Sequence, residues 1–237
     1  MAGMTLVFVH GNPETSAIWG PLVADLGRDD VVLLSPPGFG APLPDGFGAT
    51  FLEYRDWLEG ELEKIDGPID LVGHDWGGGH VVNVVMHRPE LVRSWASDVV
   101  GLFDPDYVWH DMAQAWQTPG VGEESLAAMM GGGLAARTEL MVSFGIPADI
   151  GAAIAEHQND DMAKAILALY RSAAQPALAE AGRALENAQA RPGLALLATD
   201  DPFIGVSDNR RRAADRAGAR TAVLEGLGHW WMVEDPQ

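Results

Sequence analysis

"LVGHDWGGGH" (residues 71–80) decides how the chain is read. An apolar run ends at Gly73, Gly77 follows four positions later, and an apolar pattern with helical spacing continues beyond it. That is the outline of a strand, a sharp turn and a helix, the G-x-S-x-G arrangement that lifts a reactive serine out of the backbone. Asp75 stands in the serine's place. The glycines fit a steric demand, because so tight a turn leaves no room for side chains beside the residue at its tip. A plainer reading, in which Asp75 caps the following helix, stays open at this point.

Similar short apolar segments, rich in β-branched residues, recur along the chain. They are "TLVFV" (5–9), "VVLLS" (31–35), "IDLVG" (69–73), "SWASDVV" (94–100), "LALLAT" (194–199) and "TAVLE" (221–225). Their length and composition predict buried strands. Segments with helical spacing lie between most of them, among them "FLEYRDWLEGELEKI" and "GGHVVNVVMHRPELV". Strands alternating with helices predict an α/β protein with a mostly parallel sheet of about six strands. From about Phe103 to Arg191 the alternation stops, and Ala, Met, Glu and Gln take over with helical periodicity. Residues 103–191 are therefore expected to form a helical cap inserted in a core made of 1–102 and 192–237. Breaks at "QTPGVG", "GGG" (131–133), "GIP" (145–147) and "QP" (175–176) predict four or five helices there.

A chain of 237 residues with 47% apolar content can bury one large core. Its formal charge of −19 disfavours nucleic acid and anionic membrane surfaces as partners. With no cysteine, disulfides and thiolate metal sites are excluded, and no metal or other cofactor is expected. The opening "MAGMTLVFVHG" lacks a basic leader region, and its apolar run is too short to span a bilayer. It reads as a strand of a cytoplasmic protein.

In open α/β sheets the ligand site lies beyond the carboxyl ends of the strands, where a helical insertion would roof it. Four strand ends carry reactive groups: "HGNPETSAIW" after the first, "GHDWGGGH" after the third, "TDDPF" after the fifth and "GLGHWWMVEDP" after the last. In chain order these supply a glycine turn, a carboxylate on the sharp turn, a second carboxylate and a histidine. This is the nucleophile, acid, base order of the α/β-hydrolase arrangement.

Over nearly its whole length the chain resembles the α/β-hydrolase superfamily, and within it the branch with aspartate nucleophiles, the epoxide hydrolases and haloalkane dehalogenases. The resemblance makes Asp75 the nucleophile and His229 in "GLGHWW" the base, with Asp201 of "TDDPF" as the acid that orients it. Asp200, one residue off, reads as a cap or surface charge, and Asp98 near the end of "SWASDVV" is a weaker candidate acid. "HGNP" resembles the family's oxyanion loop, so the backbone N–H groups of Asn12 and Trp76 are implied as oxyanion donors, with His10 structural. Epoxide hydrolases usually carry Phe where Asn12 stands, whereas many dehalogenases read "HGNP", and there Asn12 and Trp76 form a candidate halide clamp. "LALYRSAAQP" and "WQTPGVGE" instead resemble epoxide-hydrolase cap stretches, which makes Tyr170 the proton donor to the leaving oxygen. The second cap tyrosine of that family falls near Met112, with only Tyr107 or His110 close enough to replace it.

A carboxylate attacks carbonyl carbon poorly but displaces leaving groups at saturated carbon. The implied reaction therefore runs through an aspartyl ester that a His229-activated water hydrolyses. The leading expectation is epoxide hydrolysis to a diol. Haloalkane dehalogenation comes second, and a non-catalytic small-molecule binder on the same fold third. Tyr107, Trp109, Met112 and Trp230 are expected to wall a pocket for a small apolar substrate. Most relatives have an antiparallel strand pair before the "HG" strand that comes first here, so the sheet should lack that pair. An exposed sheet edge would then favour a homodimer.

Overall fold

All six apolar runs enter one sheet, whose order is β2-β1-β3-β4-β5-β6 and whose neighbours are all parallel. The computed structural model describes residues 3–205 and 207–237. β1 (Thr5–Val9) leads through a 3-10 turn at Ser16–Trp19 into α1 (Gly20–Leu26) and β2 (Val31–Leu34). α2 (Phe51–Leu62) begins at a capping box, in which the Thr50 hydroxyl accepts from Glu53 N–H while Glu53 accepts from Thr50 N–H. β3 (Ile69–Gly73) turns directly into α3 (Trp76–His87), and β4 (Ser94–Ser97) follows. This is the α/β-hydrolase fold with an open, parallel six-stranded sheet.

β4 is shorter than its apolar run predicts. Both carboxylate oxygens of Asp98 accept hydrogen bonds from the β3–α3 turn, and the Ser97 hydroxyl accepts from Val99 N–H. The backbone therefore leaves the sheet at Asp98 and coils into a 3-10 turn at Val100–Phe103.

Helices fill the stretch between β4 and β5: α4 (Asp111–Gln117), α5 (Val121–Met130), α6 (Leu134–Ser143), α7 (Ala148–Ala155), α8 (Asp160–Ser172) and α9 (Ala177–Ala181), then a 3-10 segment at Gly182–Ala190. These are six α-helices, not the four or five expected. All four predicted breaks fall between helices, and the missed one, between α7 and α8, contains neither glycine nor proline. There Asn159 accepts from Asp161 and Met162 N–H and starts α8 as an N-cap. β5 (Gly193–Ala198), α10 (Ser207–Arg216), β6 (Ala219–Leu224) and the short α11 (Trp231–Glu234) complete the chain.

Two apolar clusters hold these layers. One joins the sheet to α2, α3 and the cap through Leu58, Leu71, Val81, Trp116 and Leu169. The other packs Phe8, Ile18 and Trp19 against Met141, Ile154 and Trp231 on the opposite face. Among the described residues no helix is long and apolar enough to cross a membrane.

Register explains how distant stretches of sequence meet. Val9 pairs with Gly73 and Gly73 with Ser97, so the loops that begin at His10, His74 and Asp98 leave the sheet side by side. Ala198 pairs with Leu224, which brings the loops carrying Asp201 and His229 together. Strand order reverses between β1 and β3, and the crevice beyond such a reversal is where ligands bind in open α/β sheets.

Candidate active site

Asp75 sits at the tip of the β3–α3 turn with φ 49° and ψ −129°, a conformation that costs a residue with a side chain roughly 1–3 kcal/mol. The turn holds because the parts around it approach too closely for anything but glycine. A Cβ on Gly77 would lie 2.2 Å from the Val9 carbonyl oxygen, and one on Gly73 would lie 2.5 Å from that of Gly77. The capping alternative fails on geometry, since the Asp75 side chain makes no hydrogen bond to the first turn of α3.

Its carboxylate faces the β1 loop instead. Oδ1 accepts from the Asn12 backbone N–H at 3.0 Å and from Asn12 Nδ2 at 3.2 Å. Oδ2 lies 3.8 Å from His229 Nε2 and carries no hydrogen bond among the described residues. One oxygen is anchored and the other keeps its lone pairs. Among the described residues no hydrogen bond joins the Trp76 backbone N–H to this carboxylate, so the resting site draws both donors from Asn12.

His229 Nδ1 is 2.7 Å from Asp201 Oδ2, while Asp201 Oδ1 accepts from Phe203 N–H at 2.8 Å. Asp200 is exposed, and among the described residues its carboxylate accepts only from the Thr199 hydroxyl. Among the described residues no hydrogen bond joins Asp98 to His229. It pairs with His74 Nδ1 at 2.5 Å and accepts from Trp231 Nε1 and Asp75 N–H. Of the three carboxylates weighed from sequence, the geometry sets Asp201 behind the imidazole.

Beneath the turn lies a buried ion cluster that the sequence reading missed. His74, fully buried, spans Asp98 and Glu14, with Nε2 3.1 Å from Glu14 Oε1. Trp230 Nε1 and Gly11 N–H also donate to Glu14. Burial disfavours charge on all three, but the mutual attraction outweighs it. His74 is held protonated, its pKa well above the usual histidine range, and both carboxyls are held below theirs. Glu14, His74 and His229 could bring ligand atoms within 4.8 Å of one another, as a metal site would require. A histidine that donates from both ring nitrogens has no lone pair left for a metal. The signal available in the sequence was only that a carboxylate and an imidazole sit in two loops leaving adjacent strands.

Burial raises the Asp75 carboxyl to about 6, with His229 pulling the other way. Burial also opposes charge on His229, but the Asp201 carboxylate prevails and lifts its pKa above the ordinary value.

The cap closes over this pair through α8. Met162, Ala165, Ile166, Leu169 and Tyr170 are buried at i, i+3, i+4, i+7 and i+8 spacing, which turns Tyr170 down onto the site. The two cap stretches singled out from sequence meet there, Gln117 Nε2 donating to the Tyr170 carbonyl and Arg171 pairing with Glu123. The Tyr170 hydroxyl oxygen accepts from Asn12 Nδ2 at 3.5 Å, and the Tyr170 ring meets Trp76 edge-on at 5.5 Å between centroids. Burial keeps this phenol protonated by pushing its pKa well above the usual value.

Asp75, His229 and Tyr170 open onto one cavity. Met112, Trp116, Trp230, Phe144, Phe203 and His110 line it as well. Two expected wall residues do not. Tyr107 is buried with its hydroxyl on the Phe203 carbonyl (3.4 Å), and Trp109 lies behind the wall, stacked on Trp76 (5.8 Å between centroids) and tilted against Tyr170 (5.4 Å). Both are large rings used to back the wall, a packing role that composition alone does not separate from lining.

Comparison with known proteins agrees with this architecture. The family described as the alpha/beta hydrolase family matches residues 6–237. A haloalkane dehalogenase of Mesorhizobium japonicum is 30% identical over 138 residues, which is 52% of this chain and 43% of that protein. An epoxide hydrolase of Caballeronia sordidicola is 32% identical over 107 residues, 39% of this chain and 30% of its own. The chain thus aligns with less than half the length of these curated relatives. Among solved structures, a haloalkane dehalogenase from Bradyrhizobium elkani USDA94 superposes with a TM-score of 0.73 at 22% identity, covering 99% of this chain and 86% of that one. At that identity the likeness is one of fold.

Proposed function

The chain belongs to the alpha/beta hydrolase family, and from that premise we propose that it opens epoxides to diols through an ester on Asp75. The observation that carries this reading is the Tyr170 hydroxyl. Its oxygen accepts from Asn12, and its own proton has no acceptor among the described residues and is free for the cavity. A buried phenol that keeps its proton is the group an opening epoxide needs and a departing halide does not.

In this mechanism Asp75 Oδ2 forms a bond to an epoxide carbon while the C–O bond breaks. The electron pair goes to the oxygen, which takes the Tyr170 proton. His229 then removes a proton from a water that adds to the Asp75 carbonyl carbon. Asn12 holds the resulting oxyanion, each donor contributing ~3 kcal/mol. On collapse the ester C–O bond breaks, the departing diol oxygen takes the proton that His229 holds, and the proton left on the Asp75 carboxyl returns the Tyr170 phenolate to the phenol, which restores the carboxylate. Asp201 orients His229 and balances its charge. Substrate, on the evidence of the cavity walls, is small and apolar.

Dehalogenation is the second reading, favoured by the Asn12 side chain. Against it, the Asn12 side-chain amide that would hold a halide already donates to the Tyr170 oxygen and to Asp75 Oδ1. Tyr170→Phe separates the two. Diol formation should fall about 100-fold or more, whereas bromide release from a bromoalkane should rise as the clamp is freed. A panel of styrene-oxide-like epoxides and bromoalkanes, assayed for diol and for bromide with wild type and variant, tests both. Diol formation unchanged in the variant would remove Tyr170 from the role of acid.

The two pKa shifts predict a pH signature. Attack requires ionised Asp75, which is present above about 6, whereas hydrolysis requires neutral His229, whose pKa is raised above its ordinary value. As pH falls from 8 toward 6, hydrolysis should fail before attack does. The fraction of protein carrying substrate mass at steady state, read by intact-mass spectrometry after acid quench, should therefore rise over that interval.

A further inference from the structure

The ladder between β4 and β5 stops at Ser97 and Ala195, where β4 leaves the sheet, while β5 runs on to Ala198. A cation from α10 occupies the gap: Arg210 Nη1 donates to the Ala198 carbonyl at 2.9 Å and Nη2 to that of Leu196 at 3.4 Å. We propose that Arg210 is a positioning residue of the active site: it stands in for the missing strand, holds the end of β5 from which the Asp201 loop departs, and so keeps that carboxylate behind His229. The inference rests on the aspartyl-ester reading above, whichever leaving group precedes the ester.

Three observations carry it. First, alternation along the strand fixes the side on which Arg210 acts. The Pro192 carbonyl accepts from Trp95 N–H of β4, so the carbonyls of Leu196 and Ala198, an even number of residues on, face the same way and lose their strand partner where β4 ends. Second, Arg210 stands where an apolar residue would pack. It is 5% exposed and shares the face of α10 that buries Ala213 and Ala214. Its Nε has no partner, and among the described residues no carboxylate lies within hydrogen-bonding reach of it. Burial opposes the charge, and the carboxylates of Asp201 and Asp98 favour it. Third, the chain that leaves β4 makes room for it. Gly101 lies in the 3-10 turn that follows, and a Cβ there would fall 3.1 Å from Arg210 Cγ.

The Asp201 loop is thus tied from two sides. Toward β6, Thr199 N–H donates to the Leu224 carbonyl at 3.1 Å and Asp200 N–H to that of Leu227 at 3.0 Å; toward the gap, Arg210 holds Ala198. A guanidinium does not give up its proton, so the positive charge beside this loop is permanent and favours an ionised Asp201. Asp201 acts on the reaction only through His229, and His229 acts as a base only in hydrolysis of the ester. Loss of Arg210 is therefore felt in the second chemical step and not in the attack by Asp75 Oδ2.

That confinement to one step separates positioning from mere packing. Arg210→Met keeps length and apolar volume but removes the charge and both hydrogen bonds, whereas Arg210→Lys keeps the charge and can keep one bond. Single-turnover rapid quench with intact-mass detection, using a styrene-oxide-like epoxide or a bromoalkane, gives the rate at which adduct forms on Asp75 and the rate at which it disappears. In Arg210→Met adduct should form within about two-fold of the wild-type rate but hydrolyse roughly 10-fold or more slowly, so that it accumulates; Arg210→Lys should recover most of that loss. Hydrolysis at the wild-type rate in Arg210→Met would overturn the inference and leave the aspartyl-ester reading standing, as would an equal slowing of both steps. Should Arg210→Met fail to fold, Arg210→Gln, a neutral donor, is measured against Arg210→Lys: slow hydrolysis in the Gln variant alone supports the inference, and equal hydrolysis in the two overturns it. If the wild type yields neither adduct nor product with either substrate class, the reading of the whole site falls and this inference with it.

Discussion

His229→Gln is expected to abolish turnover while leaving the first chemical step intact, so that the protein arrests as a stable covalent adduct. Attack by Asp75 Oδ2 needs no base, because that oxygen is already free of hydrogen bonds. Hydrolysis of the ester does need one, and the imidazole that lies 3.8 Å from the carboxylate is the one set by Asp201. General-base contributions run to roughly 10²–10⁴-fold, and here the loss should lie at the upper end, since His74, the other nearby ring, is locked between two carboxylates. Intact-mass spectrometry after incubation with an epoxide should show the protein plus one whole substrate, because epoxide opening expels nothing. A bromoalkane would instead add its alkyl group less bromide. The mass increment therefore reads the reaction class as well as the intermediate. Peptide mapping should place the adduct on Asp75, and no adduct with either class would sink the aspartyl-ester mechanism.

Which parts of this site could be read from sequence follows from how each part is specified. Asp75 was legible because a strained turn restricts its neighbours: Gly73 and Gly77 can be nothing larger when a Cβ would fall within 2.5 Å of backbone oxygen. His229 and Asp201 were legible because each closes a short loop after a strand whose apolar run is plain. The sheet itself follows from six such runs, and only β4 was overextended by more than one residue, at the point where Asp98 trades ladder hydrogen bonds for contacts with His74 and Asp75.

What escaped the sequence depends on contacts between segments far apart in the chain. Glu14 and His74 are separated by 60 residues and meet only because Val9 and Gly73 share a register. In the cap, resemblance singled out Tyr170 but apolar pattern could not say that Trp109 would stand behind the wall while Trp116 lines it. Apolar pattern reports burial, and burial is common to both. The sixth cap helix was missed because its start is marked by Asn159, a cap whose residue type is equally at home in any loop.

The buried cluster also predicts the largest effect on stability, from His74→Leu. In the native protein His74 carries a proton and is matched by Glu14 and Asp98, which also anchor Trp230, Trp231 and the backbone of Gly11 and Asp75. Removing the imidazole leaves two buried carboxylates without a cation, a change that typically costs 3–5 kcal/mol. For a chain of this size that corresponds to a fall in Tm of roughly 6–20 °C. The sign of the pH dependence makes the cause identifiable. In the native protein the two carboxyls titrate below their unfolded values, so their contribution is present above the ordinary carboxylate range and lost as pH falls through the lowered values. His74, with its raised value, contributes below the ordinary histidine range and loses that contribution only as pH rises through the raised value. Stability conferred by the cluster is therefore nearly level between about pH 5 and 7. In His74→Leu the unpaired carboxyls should instead titrate above their unfolded values, so the folded state takes up protons as pH falls from 7 toward 5 and is stabilised by doing so. Thermal melts across that interval should show the gap between variant and wild type narrowing toward acid. A gap that stays constant would assign the loss to packing around residue 74 and not to the buried charges.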